Sequence, residues 1–150
     1  MLLNTAVFGE IDVEPGDVFH FPDGLYGFEG AGDYALITKE DEDVTLMWLQ
    51  STQSTAPCFV VFDPFNVAEG YAPKVENSDL RHLEAKDESE LSFFVIAVVP
   101  DDISQISVNL KSPVVVNKKT RVARQVILAN QDYPIKYFLF GEFGEEPEQA

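Results

Sequence analysis

VTLMWLQS at residues 44–51 and CFVVFDP at residues 58–64 decide the fold class of this chain. Both runs are apolar and rich in β-branched and aromatic residues, which is typical of strands. The second run is apolar at each of its first five positions, which predicts a buried central strand. Asp63-Pro64 then predicts the end of that strand, because proline cannot donate a hydrogen bond to a neighbouring strand.

Similar short runs continue on both sides of this stretch. We predict an opening hairpin at residues 3–13 and further strands at 18–21, 34–37, 93–99, 106–110, 114–116 and 123–128. A single helix is predicted at residues 78–84, where Ser78 can cap the first turn and Leu80 and Leu83 share one face. About ten short strands and one late helix predict an all-β protein with a compact antiparallel β-barrel-like fold.

The chain is predicted to have one domain and a tail. Residues 1–140 suffice for a single hydrophobic core, whereas residues 141–150 contain four glutamates and are predicted to be disordered. Residues 135–140 are too apolar to remain in water, so we expect them to dock on the body or to bind another molecule. No run is long enough for a membrane helix and no signal peptide is recognisable, so we expect a cytoplasmic protein without membrane contact.

Charge is the most informative bulk property. The chain has 26 acidic and ten basic residues, which gives a net charge of −16. Residues 1–110 hold 21 of the acidic residues and four of the basic ones. Such a field repels nucleic acid and attracts a basic protein, although acidity that serves only solubility is an open alternative. The basic residues Lys118, Lys119, Arg121 and Arg124 are better explained by a solvated hairpin, or by internal pairing with the acidic surface, than by nucleic-acid binding.

Few residues are candidates for catalysis or metal binding. His20 and His82 have no Cys or His partner at metal-ligand spacing. Cys58 cannot form an internal disulfide, and its apolar surroundings predict core packing rather than a nucleophile. Nucleophile-elbow, phosphate-loop and dinucleotide motifs are absent from the sequence. We therefore predict a protein that is not an enzyme and that needs no cofactor.

Three segments carry a pattern that strand periodicity does not explain. They are FPDGLYGFE at residues 21–29, LQS at 49–51 followed by PCFVV at 57–61, and NLKSPVVVN at 109–117 followed by RQVIL at 124–128. In this order and spacing they resemble the flagellar assembly factor FliW family, and the resemblance covers residues 2–135. Residues 137–140 and the acidic tail look like additions to the family's usual ending.

The resemblance implies a compact β-barrel-like fold and no enzymatic activity. It implies that the chain binds the translational regulator CsrA, a small dimeric protein that represses translation by covering ribosome-binding sites on messenger RNA. It also implies binding to flagellin, so that flagellin and the regulator compete for the factor and flagellin synthesis follows flagellin export.

Partner contacts are predicted in two regions. The first is the loop with Gly24, Leu25, Gly27, Phe28 and Glu29, because glycines let a backbone come close and a phenylalanine can anchor an interface. The second is the pair Asn109 and Asn117, which could bond a partner's backbone. The alternatives are that the glycines serve only the turn, with Phe28 packed beneath it, and that both asparagines stabilise turns.

Two other functions compete with this one. A β-barrel module could bind a small ligand or a carbohydrate in an interior lined by aromatic residues such as Trp48. A barrel of this size is normally filled by its own side chains, which argues against such a pocket. A hydrolase would require two facing carboxylates, one of them with a raised pKa.

Overall fold

The computed structural model of the protein describes residues 1–30, 32–130 and 132–141. Short strands dominate it, and two short helices lie between them. The elements in chain order are β1 (Leu2–Thr5), β2 (Gly9–Asp12), β3 (Val18–Phe21), β4 (Gly24–Leu25), β5 (Phe28–Glu29), β6 (Gly32–Asp41), β7 (Val44–Ser51), β8 (Cys58–Phe62), α1 (Pro64–Val67), α2 (Asn77–His82), β9 (Leu91–Val98), β10 (Ser107–Val108), β11 (Val114–Asn117), β12 (Ala123–Gln125) and β13 (Tyr137–Phe138). In the described part of the chain, neither helix has the length and hydropathy needed to cross a membrane.

The main sheet is antiparallel and strongly curved. Its central path runs in the order β12-β11-β9-β8-β7-β6-β3, with β10 beside β9 and β13 beside β10. The two ends of the path meet at a bridge between His20 of β3 and Val122, which precedes β12. His20 N donates a hydrogen bond to Arg121 O there, at 2.9 Å. The predicted all-β, antiparallel fold is confirmed, and a single bridge rather than a full ladder joins the sheet's ends.

Two apolar clusters lie on opposite faces of this sheet. Along β11, Val115 belongs to the first cluster, whereas Val114 and Val116 belong to the second. Strand β9 alternates in the same way from residue 93 to residue 97, with odd-numbered side chains in the first cluster and even-numbered ones in the second. The period of two along each strand therefore divides the core into two layers that share the same backbone.

The helices differ from the prediction of a single one. α1 follows directly on β8, because Asp63 Oδ1 accepts a hydrogen bond from Phe65 N at 2.9 Å and caps a helix of four residues. Such a helix is too short to produce a 3.6-residue pattern in the sequence. α2 lies where a helix was predicted, but Ser78 is inside it and the N-cap position is Glu76.

β8 has the predicted central position but not the predicted burial. It pairs with β7 on one side and β9 on the other, yet four of its five residues are only half-buried. Residues on both faces of the strand keep some exposure, which a uniformly apolar sequence cannot reveal. Burial still raises the pKa of the Cys58 thiol, which disfavours the thiolate.

The middle of the apolar segment at residues 135–140 docks on the body, whereas Ile135 and Phe140 at its ends are exposed. Tyr137 and Phe138 form β13 at the edge of the sheet beside β10, and Tyr137 and Leu139 pack against the first cluster. The predicted docking thus holds for residues 137–139 of the segment. The acidic tail lies outside the described residues from position 142 onward.

Candidate functional site

β4 and β5 form a small hairpin that is separate from the main sheet, with Gly24 and Leu25 buried. Gly24 has φ +73°, and a Cβ at this position would lie 2.5 Å from the Gly30 carbonyl oxygen and closer still to that of Phe28. Only glycine fits such a backbone. Leu25 is buried in the second cluster, while Tyr26 and Phe28 remain 52% and 47% exposed. The hairpin therefore fixes one side chain in the core and presents two aromatic ones.

Polar contacts hold this hairpin against its neighbours. Tyr26 N donates a hydrogen bond to Gln125 Oε1 of β12 at 3.0 Å. Arg124, next in the same strand, pairs with Asp23 at the base of the hairpin and donates to Asp79 of α2 at 2.9 Å. Burial, and secondly the charge of Asp79, raise the pKa of the Tyr26 hydroxyl. The hairpin is thus tied to both β12 and α2.

A partly exposed apolar surface begins at this hairpin and continues across β8, the end of β9, β10 and the segment just before β13. Its lining side chains enclose a shallow cleft of about 250 Å³. We call this surface the apolar face; its principal side chains are Tyr26, Phe28, Phe59, Ile96, Val98 and Ile135. Val98 and Ile135 are 58% and 60% exposed, and the Phe28 ring packs edge-on against Phe59 at 5.4 Å between centroids. Exposed apolar side chains grouped in this way are the surface feature that is typical of protein–protein contacts.

Sheet register brings distant parts of the chain to this face. Val98 of β9 lies opposite Ser107 of β10, and Ser107 lies opposite Phe138 of β13. Glu29 adjoins Phe28, Asp101 and Asp102 follow β9, and Lys136 lines the cleft. An apolar centre with charged flanking residues is the usual composition of a protein–protein interface.

A family model described as "FliW protein" matches residues 2–139 of the chain. The chain belongs to the FliW family. The flagellar assembly factor FliW of Ruminiclostridium cellulolyticum is 36% identical over 146 residues, which cover 97% of this chain and 99% of that protein. The corresponding protein of Thermoanaerobacter pseudethanolicus is 36% identical over 142 residues, which cover 95% of each chain.

A solved structure agrees with these sequence matches. The crystal structure of the flagellar assembly factor FliW superposes with a TM-score of 0.82 at 29% identity, and the match covers 94% of this chain and 98% of that one. The predicted resemblance is confirmed. One detail was wrong: the family match extends to residue 139, so β13 belongs to the FliW fold rather than to an added ending.

Of the two asparagines predicted to contact a partner, Asn109 lies on the apolar face of this FliW-family chain. It lines the cleft beside Tyr26 and Ile135. Its Oδ1 accepts hydrogen bonds from Lys111 N at 3.1 Å and Ser112 N at 2.9 Å, which stabilises the turn after β10. Within the described residues its Nδ2 makes no hydrogen bond, so this group can donate to a bound partner.

Asn117 is buried in the interior, away from that face. Its Nδ2 donates to Leu83 O, beyond α2, at 2.8 Å, and its Oδ1 accepts from Lys119 N at 2.9 Å and Thr120 N at 3.3 Å. The predicted partner contact of Asn117 is therefore not retained, because its side chain is fully used inside the fold. The alternative, a turn-stabilising asparagine, describes it.

Replacing Asn117 with Ala should reduce the free energy of unfolding by about 2 kcal/mol, because buried amide and carbonyl groups would lose their partners. Urea denaturation measures this loss. Asn109→Ala is the matched control, since it removes a turn hydrogen bond at a half-buried position, and we expect it to cost less than half as much. Equal losses for the two variants would contradict the assignment of Asn117 to the interior.

Sequence reasoning missed Phe59, Val98 and Ile135 as parts of the site. Each occurs in an apolar run that predicts a buried strand or a docked segment. No local signal distinguishes them from core residues, because their exposure depends on which strands become neighbours. The glycine-rich hairpin and Asn109 were the parts of the apolar face that the sequence indicated.

Trp48 bears on the alternative of an interior ligand pocket. Its ring packs edge-on against Phe8, with 4.9 Å between the centroids. Leu49 and Val61, in the neighbouring part of the sheet, are fully buried in the second cluster. An interior filled in this way counts against a small-molecule or carbohydrate site.

Proposed function

We propose that this chain serves flagellar assembly as a cytoplasmic binding protein rather than as an enzyme. In this proposal it binds a CsrA-type translational regulator and relieves the repression of flagellin messenger RNA. It also binds flagellin, so that the concentration of free flagellin determines how much of the chain is available to the regulator. Relatives named flagellar assembly factors support the process, and the apolar face supports action through protein binding.

The apolar face is the observation that carries this proposal. Tyr26 and Phe28 are held in place by the anchored hairpin, so a partner that buries them pays little entropy for ordering them. Aromatic side chains at the centre of an interface commonly provide most of its binding free energy. The Nδ2 of Asn109 adds a directed hydrogen bond at the same surface. Gly24, Leu25, Gly27 and Glu29 contribute by fixing the hairpin's shape, and Glu29 Oε2 accepts a hydrogen bond from Gly27 N at 2.9 Å.

Charge explains why a regulator of messenger RNA suits this chain. A protein that binds RNA presents basic surface, and a chain with a net charge of −16 attracts it over long range. Once bound, the same negative field repels RNA from a neighbouring site on the regulator. Inhibition can then occur without any contact at the RNA site itself.

Titration calorimetry against CsrA and against flagellin from the same organism tests this function. We expect both to bind, and we expect the affinity for the regulator to fall about tenfold between low and physiological salt as its charges are screened. Binding that is insensitive to salt would remove the electrostatic part of the proposal. Folded, monodisperse samples that bind neither partner would refute the proposed function as a whole.

A further inference from the structure

Strand β6 has a neighbouring strand on both sides over only part of its length. It pairs with β7 from Tyr34 to Asp41, whereas its pairing with β3 stops at Ala35. A 3₁₀ turn at Pro15–Asp17 precedes β3, so the chain ahead of that strand does not continue along β6. Within the described residues, no strand therefore lies beside residues 36–41 on that side. We call this stretch the open edge.

The hydrogen bonds of the sheet determine which backbone groups face the open edge. His20, in β3, donates its backbone N–H away from β6. Asp33 lies opposite His20, and its carbonyl oxygen accepts a hydrogen bond at 3.0 Å from the N–H of Thr52, which follows β7. Successive residues of a strand turn these groups to alternate sides, and the register with β7 is continuous. Thr38 and Glu40 therefore direct both their N–H and their C=O groups to the open edge.

A slot of about 410 Å³ lies along this edge. Phe8 and Ile11, from the β1–β2 hairpin, form its apolar side. Ile11 packs against the cluster that contains Ala35, and Lys39 Nζ lies 5.5 Å from the centroid of the Phe8 ring. The apolar side of the slot therefore adjoins the odd-numbered side chains of β6.

Carboxylates surround the rest of the slot. Asp12, Glu14 and Asp17 line it, and Asp12 pairs with the N-terminal ammonium at 2.8 Å. Glu14 and Asp17 are exposed, and in the described part of the chain neither forms an ion pair. Glu40, exposed at the far end of the open edge, begins the acidic run at residues 40–43. These charges oppose pairing of the edge with a second copy of this chain, and they attract a basic segment.

We propose that the open edge of β6 binds an extended segment of a partner protein in which lysine or arginine alternates with apolar residues. The segment adds as a strand antiparallel to β6, as β3 and β7 are, and bonds the backbones of Thr38 and Glu40. Residues directly opposite each other share a face of the sheet. The basic residues are therefore the ones that bond Thr38 and Glu40, and the apolar residues contact Phe8 and Ile11.

This surface is separate from the one that carries the proposed function. None of the residues that line the slot lines the cleft of the apolar face. The partner is defined here by its chemistry alone, as a basic and apolar strand. Either proposal can therefore fail without the other.

Fluorescence anisotropy with a labelled, capped peptide of sequence VKVKVK tests the contact. The peptide should bind the full chain saturably at low salt, and glutamates in place of its lysines should weaken binding at least tenfold. Methylation of the three lysine amide nitrogens should weaken binding about tenfold, because these N–H groups face β6 in the proposed pairing.

Methylation of the three valine amide nitrogens is the matched control. These groups face away from β6, so the affinity should change less than twofold. The two peptides have the same side chains and the same number of added methyl groups. No saturable binding, equal binding of the glutamate peptide, or equal losses from the two methylations would each overturn the proposal.

Two substitutions at Thr38 locate the contact on the protein. Thr38→Pro removes the N–H that faces the open edge and leaves the ladder with β7 intact. The fold should persist, which circular dichroism verifies, and the affinity for VKVKVK should fall about tenfold. Thr38→Ala keeps the N–H and should bind within twofold of the unmodified chain. An unchanged affinity of folded Thr38→Pro would overturn the proposal.

Hydrogen exchange measured by NMR gives a second reading on the unmodified chain. The amide of Thr38 should exchange at least tenfold more slowly when the peptide is bound, whereas that of Lys39, which faces β7, should not change. Absence of this protection in the peptide complex would overturn the proposal. Protection of Thr38 that grows with protein concentration in the absence of peptide would overturn it too, since a second copy of the chain would then occupy the edge.

Discussion

Replacing Phe28 with Ala should weaken binding of the CsrA-type regulator about 100-fold, the loss typical of a central aromatic anchor. Phe28 is half exposed, and the hairpin and the Phe59 ring hold it in place. Truncation to alanine therefore removes an aromatic surface that a partner could bury without first ordering the side chain. The side chain contributes little to the core, and the free energy of unfolding should change by less than about 1 kcal/mol. Titration calorimetry and urea denaturation measure the two quantities.

Phe65→Ala is the matched control for this experiment. Phe65 is the same residue type with nearly the same exposure, 50% against 47%, but it packs against Tyr71 and Phe93 on the opposite side of β9. We expect the regulator to bind this variant within about threefold of the unmodified chain. If Phe65→Ala reduced the affinity as much as Phe28→Ala does, the apolar face would not be the regulator's site.

Gly24→Ala should lower the free energy of unfolding by about 4 kcal/mol, the largest stability effect that we expect from a single added methyl group. Two causes combine at this position. The backbone has φ +73°, which strains any side chain, and the new Cβ would collide with carbonyl oxygens of Phe28 and Gly30. The strands β4 and β5 would have to separate, so regulator binding should also be lost. Urea denaturation measures the stability change.

Gly27→Ala separates these two causes. Gly27 has φ +88°, yet nothing lies within 4 Å of the position that a Cβ would take. Only backbone strain remains, so we expect a loss of about 1 kcal/mol. Similar losses for the two variants would mean that the close approach at Gly24 does not determine the hairpin's shape.

The strands could be predicted from the sequence because their signal is local. β3, β11 and β12 lie where short apolar runs between turn residues predict them. The loop at residues 24–29 was predicted as a site because its glycines let a backbone come close and its phenylalanine can anchor an interface. These parts of the structure depend on residues next to one another in the chain.

The rest of the site depends on pairings that no local pattern encodes. Val98 becomes part of the apolar face only because β10 and β13 are added beside β9 and leave its end uncovered. Asn117 was predicted to contact a partner, but its side-chain amide donates to the carbonyl oxygen of Leu83, 34 positions earlier in the chain. Nothing near Asn117 in the sequence indicates this long-range bond. A segment such as α1 is too short for periodicity to detect.

The alternation along β9 has a consequence for how this protein can change over generations. A substitution that lengthens, bends or shifts this strand alters the apolar face and the aromatic surface around Phe65 and Phe93 together, because both are built from one backbone. Neither surface can be adjusted freely to a new partner by moving the strand. Adaptation at one surface must therefore proceed through exposed side chains such as Phe28 and Ile135, or Phe65, while the strand between them stays constant.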